Sequence, residues 1–390
     1  MTITTAERDN GGSGVGVSPS NANHNGKLTH LEPSELGTKE YWDELYDREI
    51  QNHAHDPSDT GTVWFDDSDA EARVVAFLCD HHAELLLTPP PPPPQEKDDD
   101  DNDDGSGGAI SFLDLGTGNG SLLFGLRDAA DAGDLPAGRM LGVDYSPRSV
   151  EFARRIAAAR SRGRGKEKEE GGEEKRVTEE EGKGEKKEGE GEGEVEFQLH
   201  DILHDPPTRL LSGKQARGSG GKGGGWDVVL DKGTFDAVSL SSEEIPVTIT
   251  VANTTTTTAA AAPRTRTKMM RICEAYPRRV LPLVRAGGLL VVTSCNWTEE
   301  ELRRWFVDFG TGGGGDSAAA AAEVAGERGA GAEGGGDRDL DAEVVVVGEE
   351  EDEAEQWRFE QVGRVEYPSF SFGGVKGQTI STLCFRKVRR

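Results

Sequence analysis

The sequence predicts an α/β fold built on a mostly parallel sheet, and three observations carry that prediction. Short apolar runs rich in Val, Leu, Ile and Phe alternate with amphipathic stretches along the chain. Four consecutive runs end in an acid: Asp114, Asp144, Asp201 and Asp231. The first run, Ile110-Ser-Phe-Leu-Asp-Leu, breaks into Gly116-Thr-Gly118-Asn-Gly120, so a strand passes through a glycine loop into a helix. Such a loop brings bare backbone close to a ligand.

The 390 residues do not all belong to that fold. Five segments are low in complexity: 88–108, 161–194, 212–225, 243–268 and 308–356, and residues 1–33 form a polar tail. Setting these aside leaves roughly 210 residues of ordinary globular sequence, enough for one domain with a sizeable core. The expectation is a disordered tail followed by a single domain over 34–390 with disordered inserts. Most of the net charge of −28 lies in three of those inserts, which are too polar to offset their ordering entropy. Two apolar islands, 247–251 and 344–347, have the composition of short strands.

The acidity disfavours direct nucleic-acid binding, which needs a basic face to release counterions. No apolar run approaches membrane-span length, and the first residues lack the pattern of a secretory signal. Cys79, Cys273, Cys295 and Cys384 lie far apart, as expected of reduced thiols. A cytoplasmic monomer follows as the expectation, with the nucleus as a second compartment.

In order along the chain, Thr38 can cap a helix over 38–50 in which Tyr41, Trp42, Leu45, Tyr46 and Glu49 recur at helical spacing. That aromatic face suits either core packing or a lid over a flat, cationic ligand. A turn at 61–67 precedes a second helix over about 68–87. The strand 110–115 follows, then a helix from Ser121. A second strand, 139–144, leads to Ser146-Pro147, a cap and first-turn proline for a helix over 146–160. Strands are expected at 195–201 and 226–231, then a helix over about 268–285 and a fifth strand at 287–294. Thr298-Glu-Glu-Glu301 is a capping box. Two strand-like runs, 357–367 and 378–385, close the chain as a β-hairpin.

In an open parallel sheet a ligand sits at the carboxyl ends of the strands. Asp144 follows Asp114 at a distance suited to gripping a ribose diol. Asp201 is placed to accept from an adenine amino group, with Ile202 as an apolar wall. Gly116, Gly118 and Gly120 depart from dinucleotide spacing, so a pyrophosphate has less claim on the loop than a cationic sulfonium among acids.

The glycine loop with Asp144 and Asp201 resembles the seven-strand S-adenosylmethionine-dependent methyltransferases, whose Rossmann-like sheet carries helices on both faces and an inserted antiparallel strand. Leu230-Asp-Lys-Gly-Thr-Phe-Asp-Ala-Val238 is similar to the motif after strand four in enzymes acting on translation elongation factor 1-alpha. Ser34-Glu-Leu-Gly-Thr-Lys-Glu-Tyr-Trp-Asp43, Trp64-Phe65 and Phe370-Ser-Phe-Gly-Gly-Val-Lys-Gly-Gln378 resemble the branch called elongation factor 1-alpha lysine methyltransferase 2. The likeness spans the globular residues and none of the inserts.

That resemblance implies S-adenosylmethionine as cofactor and a protein-lysine substrate on elongation factor 1-alpha. It makes Tyr41 and Trp42 a lid. A neutral amine attacks the sulfonium methyl in line, and no metal is needed because the leaving group is already activated. Asp231 is then a candidate to face the amine, with a loop-ordering role as its alternative, and Phe235 a candidate aromatic wall. Lys232 is expected to anchor local structure. A methyltransferase of the same fold acting on another protein or a small molecule is the alternative. A nicotinamide oxidoreductase is disfavoured by the glycine spacing.

Overall fold

The computed structural model describes residues 30–86, 109–170, 195–211, 224–251, 264–309, 356–368, 370–372, 375–377 and 379–390. Two helices come first, α1 (Lys39–His55) and α2 (Ala70–Leu85). The alternating region follows as β1 (Ile110–Leu115), α3 (Ser121–Ala132), β2 (Ala137–Asp144), α4 (Pro147–Glu170) and β3 (Val195–Leu199). A single turn α5 (Thr208–Leu211) leads to β4 (Trp226–Lys232) and α6 (Thr234–Ser239). A hairpin of β5 (Glu244–Val251) and β6 (Arg264–Arg271) precedes α7 (Tyr276–Val280), β7 (Val284–Ser294) and α8 (Glu299–Arg303). Last come β8 (Trp357–Val365), the short pair β9 (Phe370–Phe372) and β10 (Val375–Gly377), and β11 (Ser381–Arg389).

Seven strands form one sheet in the order β3-β2-β1-β4-β7-β11-β8. The first five are parallel, and β11 runs antiparallel between β7 and β8. This is the Rossmann-like sheet with a closing antiparallel hairpin. Strand β1 is buried along its whole length, as a central parallel strand covered on both faces requires. Strand order reverses between β1 and β4, so a crevice opens at their carboxyl ends.

Local signals read from the sequence act where expected. The Thr38 hydroxyl accepts from Tyr41 N–H at the start of α1. Thr298 and Glu301 complete a capping box on α8. Pro147 opens α4, and the Ser146 hydroxyl accepts from Ser149 N–H at 3.3 Å. All four cysteines are unpaired, and burial pushes the Cys384 thiol up to about 12.

Two expectations are corrected. The helix expected over 268–285 is a strand as far as Arg271, then short helical turns, α7 among them, before β7. The alternating residues at 247–251 pair with 264–268, which draws the start of that segment into a hairpin. Pro277 and Pro282 then deny a continuous helix the backbone donors it needs. The apolar island 247–251, which has the composition of a short strand, thus lies in β5. Helix α4 also runs on to Glu170, past the expected end at 160, where Arg, Lys and Glu favour a helix and Gly163 and Gly165 do not stop it. The island 344–347 and the tail 1–29 lie outside the described residues.

Candidate active site

The glycine loop leaves β1 with Gly116, Gly118 and Gly120 all at positive φ (62°, 59° and 82°). Side chains other than glycine rarely adopt that backbone. Space forbids them as well. A Cβ on Gly118 would stand 2.7 Å from the Tyr46 hydroxyl oxygen. The loop is locked to β2 by Thr117 N–H donating to the Val143 carbonyl at 2.9 Å.

Asp144 organises the tip of β2. Its carboxylate accepts from Gly118 N–H at 3.1 Å, Ser146 N–H at 2.9 Å and the Ser149 hydroxyl at 2.7 Å. Burial still raises its pKa. Asp114, one residue inside β1 from the loop, is nearly inaccessible, and desolvation lifts it to about 7. Asp201 stands at the tip of β3 and orders its own turn. It accepts from Leu203 N–H at 2.9 Å and faces His204 Nδ1 at 2.9 Å, while buried Ile202 packs beside it.

Above these tips lies the aromatic face of α1. Trp42 stacks on Tyr46 with ring centroids 6.4 Å apart and meets Trp64 edge-on at 5.4 Å. Trp42 Nε1 donates to the Leu36 carbonyl at 2.9 Å, so the segment before α1 holds the ring. Asn119 of the glycine loop donates its amide to the Thr60 carbonyl at 3.0 Å, which ties the segment after α1 to the same place. Tyr46, surrounded by Asp144, Glu49, Tyr145 and Asp114, has its phenol pushed well up, first by burial and then by those groups. Tyr46 of α1 therefore lies against the loop at Gly118, with Trp42 and Trp64 packed behind it.

At the mouth, Phe65 adopts φ +67°, a left-handed conformation costly for a bulky residue. Its ring packs on Gly233, where an added Cβ would lie 3.2 Å away. Lys232 Nζ sits 5.9 Å over the same ring, pairs with Glu71 at 3.2 Å and donates to the Trp64 carbonyl at 3.4 Å. Glu71 also accepts from the Ser121 hydroxyl at 2.5 Å. Lys232 thus anchors a carboxylate, and it joins the β4 tip to the segment under the lid.

The two residues expected to meet the substrate amine are placed otherwise. Asp231 is buried, and its carboxylate accepts from Thr234 N–H at 2.9 Å, Phe235 N–H at 3.1 Å and the Tyr276 hydroxyl at 2.6 Å. Burial lifts it to about 7. These partners are those of an acid that orders a loop. Phe235 is fully buried among Tyr276, Trp297, Trp305 and Phe306, with centroids 5.1–6.1 Å from its own. Its neighbour Asp231 turns the chain at α6, so the ring enters the core rather than walling the mouth.

Known proteins resemble this chain over most of its length. A family described as "Methyltransferase domain" matches residues 107–163, which hold β1, the glycine loop, β2 and the start of α4. The chain is 27% identical to the protein-lysine N-methyltransferase EFM4 of Saccharomyces cerevisiae, covering 92% of this chain and 96% of that one. It is 30% identical to protein-lysine N-methyltransferase efm4 of Schizosaccharomyces pombe, covering 73% of this chain and 85% of the relative. The chain belongs to the EFM4 family of protein-lysine N-methyltransferases. The human relative called EEF1A lysine methyltransferase 2 is 22% identical over 91% of this chain and 88% of its own.

The cofactor of an EFM4-family methyltransferase is S-adenosylmethionine, and the residues present fit it. The loop offers three side-chain-free positions at the sheet's crevice. Asp114, Asp144 and Asp201 surround it with carboxyl groups suited to a ribose, an adenine amine and a cationic sulfonium. Trp64 Nε1 is a buried donor with no partner among the described residues, a fit for a carboxylate on the ligand. Tyr46, Glu71 and Asn119 join this site without a sequence signal pointing to their roles. Tyr46 shows as one more ring on the α1 face. Glu71 and Asn119 act through partners that are remote in sequence.

Proposed function

We propose that this EFM4-family enzyme methylates a lysine of translation elongation factor 1-alpha. One observation carries the reading. The Danio rerio relative named EEF1A lysine methyltransferase 2 aligns over 96% of both chains, at 24% identity. That alignment takes in the lid, the glycine loop and the β4 motif together. Within the same reading the enzyme acts as a cytoplasmic monomer on a protein, without direct nucleic-acid contact.

When bound, S-adenosylmethionine supplies a methyl group activated by its sulfonium charge. The chain supplies position and environment. Asp144 fixes the glycine loop against the tip of β2. Asp114, poised at about 7 by burial, is drawn toward its carboxylate form when a cation settles nearby. Trp42, Tyr46 and Trp64 exclude water from above. A substrate amine with a pKa of about 10.4 must lose its proton before it attacks, and a dry, ring-lined mouth favours the neutral amine.

The test is transfer of labelled methyl groups from S-adenosylmethionine into a cell lysate lacking the enzyme. The expected result is one labelled protein, the elongation factor, with no label when Gly116→Arg replaces the wild type. Label on small molecules alone overturns the reading.

A further inference from the structure

Between α2 and α3 lies a groove of about 810 Å³, lined by neither the glycine loop nor the α1 rings. Its floor is apolar and mostly small, formed by Val63, Ala70, Val75, Cys79 and Ala129 with Gly125 between them. Its rim is acidic throughout: Asp66, Asp69, Glu71, Asp80 and Asp134, with no lysine or arginine lining it. Glu71 is occupied by Lys232 and Ser121. The other four carboxylates are exposed and make no ion pair among the described residues. The groove therefore holds unneutralised negative charge over an apolar strip.

The groove and the mouth share a side chain, Glu71, which lines one and pairs with Lys232 at the other. Phe65, beside rim residue Asp66, packs against Gly233 after β4. Asp80 lies nine positions after Glu71 on α2, about 14 Å along a helix. An extended peptide covers that distance in about four residues.

We propose that this groove docks a basic segment of the protein substrate, with its apolar side chains on the floor and lysine or arginine side chains at the rim. Charge complementarity selects that occupant, because an acidic or neutral segment would leave the rim carboxylates uncompensated. The inference rests on a protein being the substrate, and it adds a specificity element. Basic residues about four to six positions from the acceptor lysine meet Asp80 and Asp134 while that lysine reaches the mouth.

The experiment uses the full chain and two readouts. The first is the KM and kcat for elongation factor methylation by wild type and by the Asp80→Lys/Asp134→Lys double variant between 50 and 300 mM salt. At low salt the double variant is expected to raise KM about tenfold with kcat and cofactor affinity unchanged, and to flatten the rise of KM with salt expected of wild type. The second is anisotropy of a fluorescent lysine- and arginine-rich peptide, with a glutamate-rich peptide of equal length beside it. Glu300→Lys/Glu360→Lys makes the same charge change at α8 and β8 and controls for the acidity of the whole chain.

The isosteric Asp80→Asn/Asp134→Asn variant guards against misfolding and is expected to show an intermediate loss. Equal KM and equal peptide affinity in wild type and both groove variants would overturn the proposal. So would an equal loss in the Glu300/Glu360 control. Basic-peptide binding that depends on Asp80 and Asp134, in a protein that never labels the elongation factor, would uphold the groove and reject that substrate instead.

Discussion

Asp231 and Phe235 look alike in sequence, both in a short motif after a strand, yet burial sorts each to a structural role. Phe235→Ala removes a ring that four aromatic neighbours enclose, and such truncations cost about 3–5 kcal/mol. The expected outcome is a large fall in melting temperature, with near-normal kcat in the fraction that stays folded. Asp231→Asn keeps an acceptor for Thr234 N–H and Phe235 N–H and still meets the Tyr276 hydroxyl. Its kcat should fall less than about tenfold, whereas losing a general base costs about 10²–10⁴. A hundredfold loss at an unchanged melting temperature would return Asp231 to the chemistry. Gly118→Ala sets positive φ and the Tyr46 hydroxyl against one added carbon. Cofactor binding by calorimetry should drop by an order of magnitude or more, because either the loop or the lid must move.

At the scale of elements, the site is two pieces, and beside the Asn119 tie to Thr60 one largely buried cation latches them together. The tips of β1, β2 and β3 form a rigid cradle, while α1 and the turn before α2 form its cover. Lys232 joins them through Glu71, the Trp64 carbonyl and the Phe65 ring. The pair is mostly but not wholly buried, so removing one partner costs about 1–2 kcal/mol, below the range for fully buried pairs. Lys232→Met should therefore weaken cofactor affinity about 5- to 30-fold. Amide exchange over residues 60–71 should quicken while β1 stays protected; unchanged exchange there would show that the cover stands without its latch. The cradle was legible in sequence because each of its parts is local: a strand, a turn residue and an acid within a few positions. The cover was legible only as an aromatic stripe. Its fit depends on Tyr46 meeting Gly118 and on Glu71 meeting Lys232, contacts between segments far apart in the chain. The segment after 268 departs from its expected helix for a related reason. Its strand exists only because residues 244–251 are there to pair with it, and no pattern within 264–271 announces a partner.

For the molecule as a whole, pH separates two sources of electrostatic strain. Burial raises Asp114 and Asp231 to about 7 and Asp236 to about 6, and it raises Asp144 as well. A folded state that holds these protons more tightly than the unfolded chain is relatively stabilised below the unfolded value of about 3.9, and it loses that advantage as pH rises toward 7. His200 works the other way. Its imidazole is buried with no hydrogen-bond partner among the described residues, and desolvation lowers its pKa, so it subtracts stability as pH falls below about 6.5. Several acids outweigh one histidine, and the melting temperature should therefore rise from pH 8 to pH 6. Each kcal/mol gained moves it by about 2–4 °C in a domain of this size. Net charge −28 predicts the same sign, since protonation also relieves self-repulsion. Salt distinguishes the two causes: 0.5 M sodium chloride screens repulsion between exposed charges but barely reaches buried carboxyls. The pH slope should survive at high salt and shrink in Asp231→Asn. A slope that vanishes with salt and ignores that substitution would place the strain on the acidic surface instead of at the strand tips.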